Sequence, residues 1–187
     1  MKKTFIPQII GMILLLKLQD TEKVKLFAEE VAWQYENDQK DISLKMTTIL
    51  PGFVLGPPLS NDLDGASAQI IKKIMNDNIY GLPEFLSIAD VRDIAFLLVK
   101  SLKQEASDGK RIIATSPNSI HISLISKILI DNGFNIAGHS KTNKILDKGG
   151  YSSDISKTIN IFNWKPNPLE KTILDMVKTI KLFEKKY

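Results

Sequence analysis

Apolar residues fall at helical spacing early in the chain. Val24, Ala28, Val31, Ala32 and Tyr35 share one face of a helix that begins near Thr21, and the polar run Glu36 to Asp41 ends it. Met46 to Leu50 is short, apolar and partly β-branched, and Pro51-Gly52 follows. This predicts a buried strand leading into a loop through Gly56, Pro57 and Pro58 to Gly65. A second helix fits Ser67 to Asn76, with Ile70, Ile71 and Ile74 turned inward. An extended piece at Phe85 to Ile88 precedes Asp90, which suits the N-cap of a helix running to Leu102.

Arg111 to Thr115 predicts another strand. Ser119 or Ser123 opens a helix that closes at Gly133. Asp154 suits the cap of a short helix ending near Phe162. Asn167-Pro168-Leu169-Glu170 combines a cap, a proline at the first helical position and a glutamate three residues after the cap. The last helix, Leu169 to Glu184, has Ile173, Met176, Val177 and Ile180 on its buried face. Strands alternating with helices give an α/β fold with a parallel sheet. Two or three strands are few for such a sheet, whose faces are normally both covered.

Composition changes this picture little. The 187 residues are 43% hydrophobic and 25% charged, ordinary for a globular chain. The net charge of +4 comes from scattered lysines and a small cluster at Lys181, Lys185 and Lys186. These read as a solvated face, and no basic patch carries the stacking aromatics of a nucleic-acid surface. There are no cysteines, which excludes disulfides and thiolate chemistry and suits a cytoplasmic location. The histidines, His121 and His139, have no partner at ligand spacing, so no metal is expected.

Met1-Lys2-Lys3 precedes an apolar run from Ile9 to Leu16. It imitates a secretory signal but lacks a small-x-small cleavage site, and it is too short to span a bilayer. No membrane association is expected of it, and residues 1–20 read as an apolar segment outside the fold.

Three segments together resemble the dihydroflavonol-reductase-like branch of the NAD-dependent epimerase/dehydratase superfamily, the extended short-chain dehydrogenase/reductases. Thr21-Glu-Lys-Val-Lys25 followed by Ala28-Glu29 and Ala32-Trp33 is similar to that family's Tyr-x-x-Ser-Lys, Ala-Glu, Ala-Trp stretch. Pro51-Gly-Phe-Val54-Leu-Gly56-Pro57 resembles its Pro-x-x-Val-x-Gly-Pro loop. Asp90-Val-Arg-Asp93-Ile-Ala95 resembles its Asp-Val-Arg-Asp-Val-Ala motif, and Gly109-Lys-Arg111 and Phe162-Asn-Trp164-Lys-Pro166 also fit. The match runs from about Thr21 to the C-terminus.

The resemblance implies that residues 21–187 are the C-terminal half of such a protein, an incomplete Rossmann-like sheet plus a small mixed α/β substrate-binding domain. It implies an NAD(P) cofactor and a small carbonyl or alcohol substrate. Lys25 takes the position of the lysine that binds the nicotinamide ribose and lowers the catalytic phenol's pKa. Pro51, Gly52, Phe53 and Val54 would border the nicotinamide, and Ser67 would sit near the cofactor's phosphates. Two departures stand out. Thr21 occupies the catalytic tyrosine position, and its aliphatic hydroxyl is shorter and far less acidic than a phenol. The glycine-rich cofactor turn and its strand-turn-helix unit are absent. The expectation is a fragment inactive alone, from a truncated or frame-shifted gene. The rivals are one half of a split enzyme completed by a second chain, a non-catalytic binding module, and a peripheral membrane protein tethered by residues 5–18.

Overall fold

The computed structural model describes residues 20–39, 44–136 and 150–184. The Ile9–Leu16 run, His139, Lys185 and Lys186 lie outside the described residues, as does the side chain of Thr21. The chain divides into two compact units, Met1–Thr48 and Ile49–Tyr187.

In the first unit the expected helix forms as α1 (Asp20–Asp38). Glu29 ties its middle together: its Oε1 accepts the Trp33 indole N–H at 3.2 Å and the Thr48 hydroxyl at 3.0 Å. The stripe of Val24, Val31 and Tyr35 is exposed.

The second unit takes up β1 (Thr47–Pro51) from residue 49 onward, then β2 (Phe53–Leu55), α2 (Ala66–Met75), β3 (Phe85–Leu86) and β4 (Ile88–Asp90). These are followed by α3 (Val91–Ser101), β5 (Lys110–Ala114), β6 (Ile120–His121), α4 (Ser123–Asp131), α5 (Ser156–Phe162) and α6 (Leu169–Glu184). β1 pairs with β5. β2 runs parallel to β4 with Phe53 opposite Ile88 and Leu55 opposite Asp90. β3 and β6 are antiparallel, with Phe85 opposite His121.

Residues 53–55 were expected to belong to a loop and instead form β2. Three residues flanked by Gly52 and Gly56 carry too little periodicity to register as a strand. The bend between β1 and β2 is made by Gly52, whose N–H donates to the Ala114 carbonyl at 3.3 Å. The next N–H, of Phe53, donates to the Ser87 carbonyl at 2.6 Å. Adjacent residues thus hand the chain from β5 to β4. A Cβ on Gly52 would lie 2.3 Å from both the Ser87 carbonyl oxygen and the Thr115 hydroxyl, so only glycine fits.

Two apolar clusters fill this unit. Leu55 meets Ile71 and Ile74 of α2, Ile125 and Leu129 of α4, and Ile173, Val177 and Ile180 of α6. Leu97 of α3 and Ile112 of β5 meet Phe162 and Trp164. On α6 all four residues expected to face inward are buried, and on α2 Ile71 and Ile74 are buried while Ile70 is half-buried at the edge of the cluster.

The caps follow expectation in part. The Asp90 carboxylate accepts from the Arg92 N–H at the start of α3. The Asp154 carboxylate accepts from the Ser156 N–H at α5. Of the two serines, Ser123 opens α4, where His121 Nδ1 accepts its N–H at 3.2 Å. At α6 the two side chains expected to form a capping box turn elsewhere. The Asn167 amide donates to Asp93, and Glu170 accepts from Asn132. Contacts 74 and 38 residues apart in sequence outweigh the local capping pattern.

Candidate functional site

β2 and the start of α2 bring several of the expected site residues together. Pro51 is exposed, and Gly52, Phe53 and Val54 are half-buried. The Ser67 hydroxyl, in the first turn of α2, donates to the Val54 carbonyl at 2.6 Å. Helix start and strand are therefore joined at this point, and the hydroxyl's acceptor lone pairs stay available. Gly56 follows with φ +138°, and a Cβ there would lie 2.6 Å from Val91 Cγ1. Its N–H points at Met176 Sδ, 3.4 Å away. Gly56 of the loop motif is thus required by a positive φ and a close approach.

The N-terminus of α2 is open. Gly65 makes no side-chain cap, and nothing lies within 4 Å of where its Cβ would be. Free N–H groups at a helix start suit an anion. Lys25 is an exposed residue of α1 in the first unit, one helical turn after Thr21.

The Asp-Val-Arg-Asp motif has a structural task that sequence reasoning missed. Asp90 Oδ1 accepts from Arg92 N at 2.8 Å and Nε at 2.9 Å, and Oδ2 accepts from Arg92 Nη2 at 2.6 Å and Thr172 Oγ1 at 2.7 Å. Arg92 Nη1 reaches Asp175 Oδ2 at 2.6 Å, which Lys171 also contacts at 2.6 Å. Asp93 accepts the backbone and side-chain N–H groups of Asn167 at 2.9 and 2.7 Å. One tetrapeptide thereby fastens α3 to α6.

Burial pushes the Asp90 carboxyl up, but the hydrogen bonds from Arg92 and Thr172 outweigh it and leave the pKa below the ordinary aspartate value. Asp175 is also lowered, by Lys171 and then Arg92. The Arg92 guanidinium is held more firmly charged by its bonds to Asp90. The signal available in the sequence was a pair of aspartates flanking an arginine at a helix start.

His121 has neighbours its spacing did not suggest. Nδ1 is 2.7 Å from Ser123 Oγ, Nε2 is 3.7 Å from Glu84, and Phe85 packs edge-on at 5.3 Å. Ser123 is buried and its N–H is held by the same ring nitrogen, so the group serves as a helix cap rather than a nucleophile. Among the described residues no cluster of three His, Cys, Asp or Glu could hold a metal. No described helix is long and apolar enough to cross a membrane.

No protein-family profile matches the chain. It is 27% identical over 168 residues to YDR541C of Saccharomyces cerevisiae, named an uncharacterized oxidoreductase, covering 83% of this chain and 48% of that protein. YGL039W of the same yeast, with the same kind of name, is 32% identical over 97 residues, 47% of this chain and 27% of its own. Among solved structures, Candida albicans Gre2 in complex with NADPH superposes with a TM-score of 0.71 at 22% identity, covering 84% of this chain and 49% of its own. Yeast methylglyoxal/isovaleraldehyde reductase Gre2 complexed with NADPH gives 0.71 at 23%, covering 87% and 54%. Thermotoga maritima UDP-glucose 4-epimerase with UDP-glucose gives 0.61 at 17%, covering 83% and 52%.

The chain thus resembles the extended short-chain dehydrogenase/reductases in fold as well as in motifs, and its α/β architecture is theirs. It spans about half the length of the relatives named first.

Proposed function

We propose that this chain is the C-terminal half of an NADPH-dependent reductase for a small carbonyl compound, and that it does not turn over substrate alone. The observation that carries this reading is the superposition of 87% of the chain on an NADPH-bound reductase. The motif positions add support, with Pro51 exposed beside the bend at Gly52 and Ser67 bonded to Val54.

The described residues fit part of such a cofactor. The open start of α2 beside Ser67 and the Lys25 ammonium have suitable chemistry for phosphate and ribose, whereas the N–H groups of Gly52 and Phe53 are already bonded to the Ala114 and Ser87 carbonyls and would border nicotinamide by shape alone. NADPH would supply the hydride. The protein would supply orientation and a proton, and at the proton-donating position this chain offers Thr21. A glycine-rich turn joining a strand to a helix, which takes the pyrophosphate in dinucleotide folds, does not occur among the described residues.

The exposed stripe of α1 favours a related reading, in which a second chain carries the nucleotide-binding half and covers that face. Calorimetric titration of NADPH into the purified chain, alone and with the first half of a Gre2-type reductase, tests both. The expected result is no micromolar binding alone, with binding regained on addition of the missing half and NADPH consumption regained in full only when Thr21→Tyr is also made. Micromolar affinity of the isolated chain would defeat the fragment reading. No gain on addition would defeat the split-enzyme reading.

A further inference from the structure

In the second unit, α3 is apolar over more of its circumference than its own core uses. Asp93 and Leu97 lie on one side and are buried, with Leu97 against Ile112 of β5. Val91, Ala95, Leu98, Val99 and Leu102 recur at helical spacing on a different flank, within roughly 100° of arc. Leu102 is the C-cap and keeps a right-handed helical backbone. All five are exposed, with Leu98, Val99 and Leu102 at 51%, 62% and 84%.

A surface helix normally turns charged residues away from its core face, and one that is apolar on most sides is buried on most sides. The charged side chains of α3 are Arg92, Asp93 and Lys100. Arg92 is bonded to Asp90 and Asp175, and Asp93 to Asn167, which leaves Lys100 as the charge on the exposed surface. The layer beneath explains why the flank is open. α3 packs on β5, and β5 with β1 makes a sheet of two strands. Two strands span about 10 Å and a helix is about 10–12 Å across. The sheet covers one face of the helix and has no width left for its flank.

We propose that this flank of α3, from Val91 to Leu102, is a docking face for the nucleotide-binding half that the longer relatives carry. The proposal rests on the fragment reading above and adds to it a partner surface in the second unit. The chain spans about half the length of those relatives, so their unmatched half is a body of the size needed to cover the flank. Charge argues against a second copy as the occupant. The one carboxylate of α3 is the buried Asp93, and Lys100 and Lys103 lie beside the C-terminal end of the stripe. Pairing two such flanks sets lysines against a helix that offers no carboxylate. The partner surface that fits is an apolar helix or sheet face with an acidic residue at its rim.

The chain has no cysteine, so a single introduced thiol is a unique target for a maleimide. Leu98→Cys and Leu102→Cys report on the stripe, and Tyr80→Cys reports on an exposed position outside α3. Each is made in the full chain and in a fusion whose residues 1–19 are replaced by the first half of a Gre2-type reductase freed of cysteine. The expected result is that both stripe thiols react about tenfold more slowly, or slower still, in the fusion than in the chain alone. Tyr80→Cys should react equally in both. NADPH binding to the fusion, measured by calorimetry, is the separate readout of the fragment reading. A fusion that binds NADPH and leaves the stripe thiols as reactive as before overturns the docking face and leaves the fragment reading standing. A fusion that shows neither protection nor NADPH binding overturns both. Slow labelling of the stripe in the chain alone that speeds up on dilution places a second copy there and also overturns the proposal.

Discussion

The carboxylate of Asp90 accepts the hydroxyl of Thr172 at 2.7 Å, joining the start of α3 to the first turn of α6 across 82 residues. The Asp90 side chain is 1% exposed, and its other bonds come from Arg92. Removing the acceptor leaves a buried hydroxyl and a guanidinium without their shared partner. Asp90→Ala should therefore cost roughly 2–4 kcal/mol, below the full value of a buried pair because Arg92 is partly solvated. Thr172→Val removes one hydrogen bond to a charged group and should cost about 1.5–3 kcal/mol. Urea unfolding of each variant measures both, and the double variant should lose less than the sum because the two residues share a bond.

The same cluster fixes the direction of acid sensitivity. The folded-state pKa of Asp90 lies below the ordinary aspartate value. Its contribution is therefore complete above the unfolded pKa of about 3.9. It is lost as pH falls through that value toward the lower folded-state one. Asp175 is shifted the same way and adds to the slope, whereas Arg92 stays charged throughout. Unfolding free energy should fall as pH drops below about 5, and Asp90→Asn should flatten that limb. An unchanged acid limb in Asp90→Asn would show that other carboxylates govern it.

Two glycines separate backbone necessity from tolerance. Gly52→Ala sets a Cβ 2.3 Å from the Ser87 carbonyl oxygen and the Thr115 hydroxyl. It should weaken the hand-over between β5 and β4, costing roughly 3 kcal/mol or more. Gly65, at the start of α2 with φ −60° and open space around it, should accept Ser with no loss, since serine is a better cap than glycine. Thermal unfolding of the pair checks the contrast. A Gly52→Ala protein as stable as the parent would mean that β1 and β2 can separate at no cost.

The sequence made the helices legible because each carries its own periodicity. Ile71 and Ile74 on α2, and Ile173, Val177 and Ile180 on α6, are buried on the faces their spacing predicts. Short strands were less readable: Phe53–Leu55 has no room for a period-two pattern, and its pairing with β4 depends on a segment 35 residues away. The loop motif marked the bend at Pro51 to Val54 through its Pro, Gly and Val, but gave no hint that Ser67 closes onto Val54. Asp90 was legible as a cap because capping is local. Its bonds to Thr172, and those of Asp93 to Asn167, are long-range, and no spacing rule reaches them.

The last prediction concerns the surface of α1. Val24, Val31 and Tyr35 are 67%, 63% and 61% exposed, and Phe27 beside them is 49% exposed. Spacing of three, four and seven residues puts them on one side of the helix, a contiguous apolar stripe of the kind that drives self-association. Replacing them with Val24→Lys, Val31→Glu and Tyr35→Lys removes the stripe without entering either apolar cluster of the second unit. Light scattering should show less association of the triple variant than of the parent. Surface substitutions away from buried features usually stay within about 0.5 kcal/mol, so the unfolding midpoint should be nearly unchanged. In a mixture with the nucleotide-binding half of a Gre2-type reductase the order should reverse, because the stripe is then the docking face, and the parent should form the complex while the variant does not. A variant that unfolds at much lower urea would show that the stripe is already covered in the isolated chain, and the proposed partner face would have to be sought elsewhere on the molecule.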